Sequence, residues 1–307
     1  VETDQYFDTR NEKVNVYAGV RYQPHPSISI TPLAGYSLDV RTAILGRSNP
    51  FLKVDQGFSP AMLVEAEHDW AEENLSMRST IFARYKFIDP RQQRNLVFRQ
   101  FWAKKFDEGV QLVFGIQAGS HELDDYQSNS VKRIISDSLA PSLQLGYTFL
   151  PGLEWQSENN FLVNRRSFRF ENVVGGDPEA NDLIFDGLSV SSRQALSLSL
   201  GKWRATGEYT YRFSSRKYLL ENDLGLNEPD FLERIEQERQ KDFVTSLHKT
   251  QFTLRKKLNK AQFLNFRLGS QYLQYDSPSE SNFDDRDELS YIGSADWERR
   301  WSRALST

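Results

Sequence analysis

The feature that most constrains this chain is the alternation of apolar and polar residues at every second position. It is clearest at Lys202–Phe213, KWRATGEYTYRF. There Trp203, Ala205, Gly207, Tyr209, Tyr211 and Phe213 fall on one face, and Arg204, Thr206, Glu208, Thr210 and Arg212 on the other. Successive side chains of a strand point to opposite sides, so period two means a strand with one apolar and one charged face.

The pattern recurs at Val14–Tyr22, Ser27–Val40, Leu75–Phe87, Val110–Ala118, Ser142–Phe149 and Ala261–Tyr272. It is weaker at Ala61–Trp70, Asn95–Phe106, Gly152–Arg166, Leu188–Leu200, Ser246–Leu258 and Asp287–Trp301. Together these predict thirteen strands of about ten residues, against ~5–6 in ordinary sheets. About ten residues of tilted strand is what a bilayer core requires. The chain is 38% hydrophobic, 13% aromatic and 26% charged, an odd mixture for a soluble core of 307 residues. No apolar run reaches the ~18–20 residues of a helical span.

The connections sort by length. Gln23–Pro26, Ala71–Asn74, Asp107–Glu108, Leu150–Gly152, Gly201 and Asn259–Lys260 are tight. Arg41–Pro60, Ile88–Arg94, Ser120–Ser138, Ser167–Gly187, Ser214–Thr245 and Asp276–Arg286 are mostly long and polar, and the two kinds alternate. A transmembrane barrel with short periplasmic turns and longer extracellular loops alternates in this way; a soluble sandwich has no reason to. No repeat of a propeller's period is present. The predicted fold is therefore all-β: a transmembrane antiparallel up-and-down β-barrel, one domain over residues 1–307. The register places Val1–Lys13 in an extracellular loop. Trp301–Leu305 resembles the turn Leu258–Ala261, with Leu305 opening a further strand. The expectation is a barrel incomplete at both ends, belonging to a 14- to 16-stranded whole.

This pattern resembles Gram-negative outer-membrane β-barrel proteins of the porin kind. The segment Ala295-Asp296-Trp297-Glu298-Arg299-Arg300-Trp301-Ser302 is similar to strand-to-turn segments of barrels associated with exopolysaccharide export. The resemblance implies residence in the cell outer membrane, in contact with lipid and lipopolysaccharide, and partnership with periplasmic or surface proteins of an export complex.

Alternation also names the polar wall. Lumen-lining candidates are Glu65, Glu67, Asp69, Arg78, Arg84, Arg204, Glu208, Arg212, Arg255 and Arg267. Glu65, Glu67 and Asp69 share one face. Across the Ala71–Asn74 hairpin, Glu67 should oppose Arg78, Glu65 should oppose Thr80 and Asp69 should oppose Ser76. That leaves two acids to attract cations near the tight-turn rim. Within Ser214–Thr245, Pro229 and the stripe Phe231, Leu232 and Ile235 predict a short helix in an extracellular loop. Trp70, Trp102, Trp155, Trp203, Trp297 and Trp301 lie near strand ends, where membrane–water interfaces hold such rings.

Other chemistry is poorly supported. The chain has no Cys, which excludes thiolate catalysis and disulfides. Its net charge of −4 argues against nucleic acid as a partner. The four histidines lack metal-ligand spacing. His121 lies beside Ser120 and Asp124, but neighbours in sequence do not make a triad. It reads as a loop histidine. The acidic stretches at 121–125, 176–182 and 283–288 do not match a calcium-binding helix-loop-helix and read as solvated loops. The expectation is no catalytic residue, no metal and no cofactor. The function predicted is a channel for hydrophilic solutes or a secreted polymer. The alternative is a non-conducting scaffold that anchors a secretion or surface assembly.

Overall fold

The computed structural model describes residues 7–45, 51–88, 91–106, 109–127, 130–171, 183–220, 228–277 and 285–299. They form one fifteen-stranded antiparallel sheet. Its strands are β1 Phe7–Gly19, β2 Tyr22–His25, β3 Ile28–Leu45, β4 Phe51–Phe58, β5 Ala61–Trp70, β6 Leu75–Ile88, β7 Arg91–Lys105, β8 Val110–Gln127, β9 Ser130–Leu150, β10 Leu153–Glu171, β11 Leu183–Leu200, β12 Trp203–Leu219, β13 Phe243–Lys257, β14 Gln262–Asp276 and β15 Arg286–Arg299. A helix, α1 Glu228–Arg239, lies between β12 and β13.

The sheet is an up-and-down meander. β1 and β2 both pair with β3, and β4 and β5 both lie between β3 and β6. The fifteen segments therefore make the thirteen passages that alternation predicts. The β4–β5 break falls at Ser59-Pro60, where proline has no N–H to offer. The neighbours still close the ladder: the Ser59 N–H donates to the Gly35 carbonyl at 2.7 Å, and the Tyr85 N–H to the Pro60 carbonyl at 3.0 Å. Gly57 packs so tightly there that a Cβ would lie 1.5 Å from the Phe87 carbonyl oxygen.

Because consecutive passages are antiparallel, the turns around Pro26, Ala71–Asn74, Pro151-Gly152, Gly201 and Asn259 share one rim. Gly152 (φ 90°), Gly201 (φ 57°) and Asn74 (φ 49°) supply the left-handed conformations that these tight turns need. The turn at Asp107–Glu108, residues 176–182 and the further strands expected beyond either end fall outside the described residues.

Burial is inverted relative to a soluble domain. On the apolar outer face, Val16 is 65% exposed, Leu268 64% and Tyr291 77%. Among the described residues only Ala61, Ile88 and Phe185 are buried hydrophobics, whereas Asp39, Asp55, Lys86 and Arg91 are buried charges of the inner face. A sheet with its large apolar side chains outward and its charges inward is stable only where the surroundings are apolar. The outer face also carries a polar seam that satisfies itself. Asn159 donates to Ser157 at 2.8 Å, Ser192 to Asn159 at 2.8 Å, and Gln194 to Ser157 at 2.7 Å. Each polar group escapes the cost of desolvation without a partner.

Several sequence expectations change. Ser120–Ser138 is not a long loop: β8 runs to Gln127 and β9 starts at Ser130. Ser167–Gly187 loses residues at both ends to β10 and β11, and Arg41–Pro60 contains β4. Ile88–Arg94 shrinks to residues 89–90 between β6 and β7. Val1–Lys13 is not all loop, because β1 begins at Phe7. The cause is common to all. Beyond the apolar belt both faces of a strand are polar, so the period-two signal vanishes while backbone pairing continues. Ion pairs support these extensions: Arg133 meets Asp124 at 2.9 Å, and Arg165 meets Asp186 at 2.7 Å.

Candidate functional site

Register places every predicted wall residue on the inner, polar face. Glu65 lies opposite Thr80, Glu67 opposite Arg78 and Asp69 opposite Ser76, as the hairpin argument requires. Glu67 receives Arg78 at 2.7 Å. Glu65 has partners on its other side: Ser29 donates to it at 3.3 Å, and Arg21 approaches to 3.9 Å. Two of the three acids are thus engaged by cations, one more than the hairpin alone implies. Arg21, Ser29, Glu65, Glu67 and Arg78 line one small depression near the tight-turn rim.

Of the remaining predicted residues, Glu208 and Arg255 join ion-pair ladders across neighbouring strands. Arg193 of β11 bridges Glu208 at 2.8 Å and Glu158 at 3.6 Å. Arg255 reaches past β14 to Glu298 of β15 at 2.8 Å. Arg204 sits opposite Arg255, Arg212 opposite Leu247, and Arg267 opposite Thr253 and Ser294. Arg84 pairs with Asn95 and lies 6.0 Å above the Phe82 ring.

Two clusters escaped sequence reasoning. The first joins β3, β4 and β7. Arg91, with no exposed side-chain surface, donates from Nε to Asp55 at 2.6 Å and from NH2 to Asp39 at 2.7 Å. Nearby, Asn15 accepts from Ser37 at 2.9 Å and from Lys86. The second runs along the inner face at the loop rim. Lys132 lies 4.2 Å over Phe168, Arg166 5.2 Å over Phe185, and Arg216 4.9 Å over Phe185 and 5.1 Å over Phe243. Continuing the KWRATGEYTYRF alternation past Phe213 puts Arg216 and Tyr218 on the inner face, a signal available in the sequence. The cross-strand partners have no such signal.

The Ser120–His121–Asp124 grouping is dissolved by the strand. His121 faces inward opposite Asn95 and Ser136, whereas Ser120 and Asp124 point to the outer face. Asp124 is held by Arg133 at 2.9 Å and by the Gln92 N–H at 2.9 Å. His121 is a half-buried strand residue rather than a solvated loop residue. Near the loop rim, the helix end is tied back to the sheet. Lys241 pairs with Glu238 at 2.6 Å and lies 6.0 Å from the Tyr218 ring, and Asp242 accepts the Tyr218 N–H at 2.6 Å. Burial pushes the Asp242 carboxyl above the usual range, against the opposing pull of the Tyr218 N–H, Lys217 and Arg239.

An antiparallel meander of long strands, with large apolar side chains outward and a charged face inward, defines the outer-membrane β-barrel class. No protein-family model matches the sequence, and no curated protein sequence matches it. Among solved structures the chain is similar to outer-membrane-expressed OmpT of Vibrio cholerae, at 10% identity and TM-score 0.34 over 97% of this chain and 98% of that one. It is also similar to the copper transporter OprC, at 10% identity and TM-score 0.43, over 98% of this chain and 60% of that one. A third is OprD of Pseudomonas aeruginosa, at 9% identity and TM-score 0.20 over 99% and 95%. The class rests on the sheet itself, not on these distant likenesses.

Proposed function

We propose that this protein is a passive outer-membrane channel for hydrophilic solutes, with no bond-making chemistry of its own. One observation carries the reading: the charges facing inward on β10–β12 are paired yet wet. Arg193 and Glu158 keep 47% and 42% of their side-chain surface exposed while in contact. A filled interior would have to bury such a ladder, and an aqueous one does not. The membrane lipid and lipopolysaccharide are the expected surroundings. Arg94, Arg133 and Arg165 stand on the outer face beyond the apolar belt, where phosphates of lipid headgroups would lie.

A second reading has its own support. The Arg91–Asp39–Asp55 node is sealed from solvent, which suits a barrel blocked on that side and used as a scaffold for a secretion or surface assembly, in contact with its periplasmic or surface proteins. Planar-bilayer recording of the refolded full chain separates the two. Stepwise conductance is expected of the channel; stable insertion without conductance would overturn it in favour of the scaffold.

A further inference from the structure

Along the inner face several arginines are held by carboxylates. Arg78 holds Glu67, Arg193 holds Glu158 and Glu208, Arg255 holds Glu298, and Arg91 holds Asp39 and Asp55. At the loop rim of β9–β13 the arrangement changes. Among the described residues, Arg166 and Arg216 contact no carboxylate. Their guanidinium carbons lie over rings instead: Arg166 over Phe185, and Arg216 over both Phe185 and Phe243. Arg166 is further oriented by Ser136, which accepts its Nε–H at 3.0 Å. Phe185 is nearly sealed, at 4% exposure, so these guanidinium groups cover it rather than a solute.

Register shows that this is one continuous track. Ser136 opposes Arg166, Arg166 opposes Phe185, and Phe185 opposes Tyr218; one step along, Arg216 opposes Phe243, and Tyr275 opposes Arg286. Phe243 and Tyr275 stack at 5.9 Å and 20°, Arg286 lies 5.6 Å over the Tyr275 ring, and both aromatic residues are half-buried. A guanidinium flanked by rings rather than carboxylates keeps N–H groups free, and a pair of them forms the fork that takes a carboxylate through two parallel bonds. Held by rings, it loses little further freedom on binding. The exposed parts of these half-buried residues offer apolar surface to the C–H groups of a saturated ring.

We propose that this track, centred on Arg216 with Arg166, Phe243 and Tyr275, binds carboxylated saccharides at the loop-side mouth. As a statement about transport it rests on the channel reading; as a statement about binding it does not. The test uses the refolded full chain, with trigalacturonate, maltotriose and inorganic phosphate as probes. Calorimetry in detergent micelles reads binding without needing a pore, and bilayer recording reads block of the current.

Trigalacturonate should bind at least about tenfold more tightly than maltotriose, the difference that one charge-assisted bidentate pair makes. Arg216→Gln should remove that difference. Arg216→Lys should not restore it, because an ammonium lacks the fork. Phe243→Leu keeps the charge and removes a platform, so it should weaken trigalacturonate by a few-fold. Heat-modifiable migration verifies that each variant folds. Unchanged trigalacturonate affinity in folded Arg216→Gln and Phe243→Leu overturns the site. Equal affinity for phosphate overturns the saccharide class. Binding without any conductance leaves the site standing and removes the channel; conductance without binding does the reverse.

Discussion

Arg91 and Arg216 share a residue type, an inner-face position and closeness to the loop rim, yet their surroundings are opposites. Arg91 is enclosed by Asp39 and Asp55 at contact distances of 2.7 and 2.5 Å. Arg216 is flanked by Phe185 and Phe243 at 4.9 and 5.1 Å. The first arginine has its charge matched by anions of the protein and fastens three strands together. The second is positioned by surfaces that leave its charge unmatched. The first cation is spent on structure, and the second is left ready for a solute.

The largest expected effect comes from the sealed node. Arg91→Met should destabilise the fold by about 3–5 kcal/mol, because two buried carboxylates lose the cation that they share. Asp39→Asn together with Asp55→Asn in the Met variant should recover much of that loss. Denaturant unfolding of the refolded protein measures both, and an unchanged midpoint for Arg91→Met would erase the contrast.

The comparison assumes that both regions belong to one inner face, with lipid on the other. Leu268→Arg and Val16→Arg, one from each half, should then cost about 2–4 kcal/mol near the bilayer centre. Arg267→Lys, next to Leu268 but inward, should cost far less. Equal tolerance in a refolding assay would mean that the outer face does not meet lipid.

For Arg216→Gln the expected loss of stability is smaller, about 1 kcal/mol or less, the worth of a partly exposed cation over rings. Its main effect should be on ion preference, shifting a conducting pore toward cations. The acidic group at the opposite rim should respond in the other sense. Glu65→Gln with Asp69→Asn should lower cation preference in bilayer recordings. Most of that change should come from Asp69, because Glu65 already faces Arg21. Glu72→Gln with Glu73→Gln should do less, since these residues sit in the 3-10 turn Ala71–Glu73 rather than on the wall.

The smallest effect is one of pH. Burial raises the Asp242 carboxyl in the folded state, so the folded protein holds that proton at pH values where the unfolded chain has released it. Stability should fall slightly as pH rises from the ordinary carboxylate range through this raised value, and level off above it. Asp242→Asn should flatten that part of a pH–stability curve. A steeper slope in the variant would assign the raised carboxyl to another group.

How much was legible beforehand follows from where alternation operates. Within the apolar belt each strand has two unlike faces, so residues such as Glu65, Arg204 and Leu268 could be assigned to their sides from sequence alone. Hairpin neighbours were legible too: Glu67 opposite Arg78 follows from counting back from a four-residue turn. Beyond the belt the pattern stops: alternation carries β8 only to Ala118 and opens β9 only at Ser142, about nine and twelve residues short of their ends. The same loss of pattern makes His121 look like a loop residue when it lies within β8.

By itself, the sequence determined the sheet, its meander, its thirteen passages and the side on which each belt residue stands. These depend on local period and turn chemistry. Only the tertiary structure decided which cations found anions and which found rings. Arg91 is 36 residues from Asp55 and 52 from Asp39, and Arg216 meets Phe185 and Phe243 from adjacent strands. Such meetings are set by the register and stagger of whole strands. A shift of two residues in one pairing keeps every face correct and changes every partner.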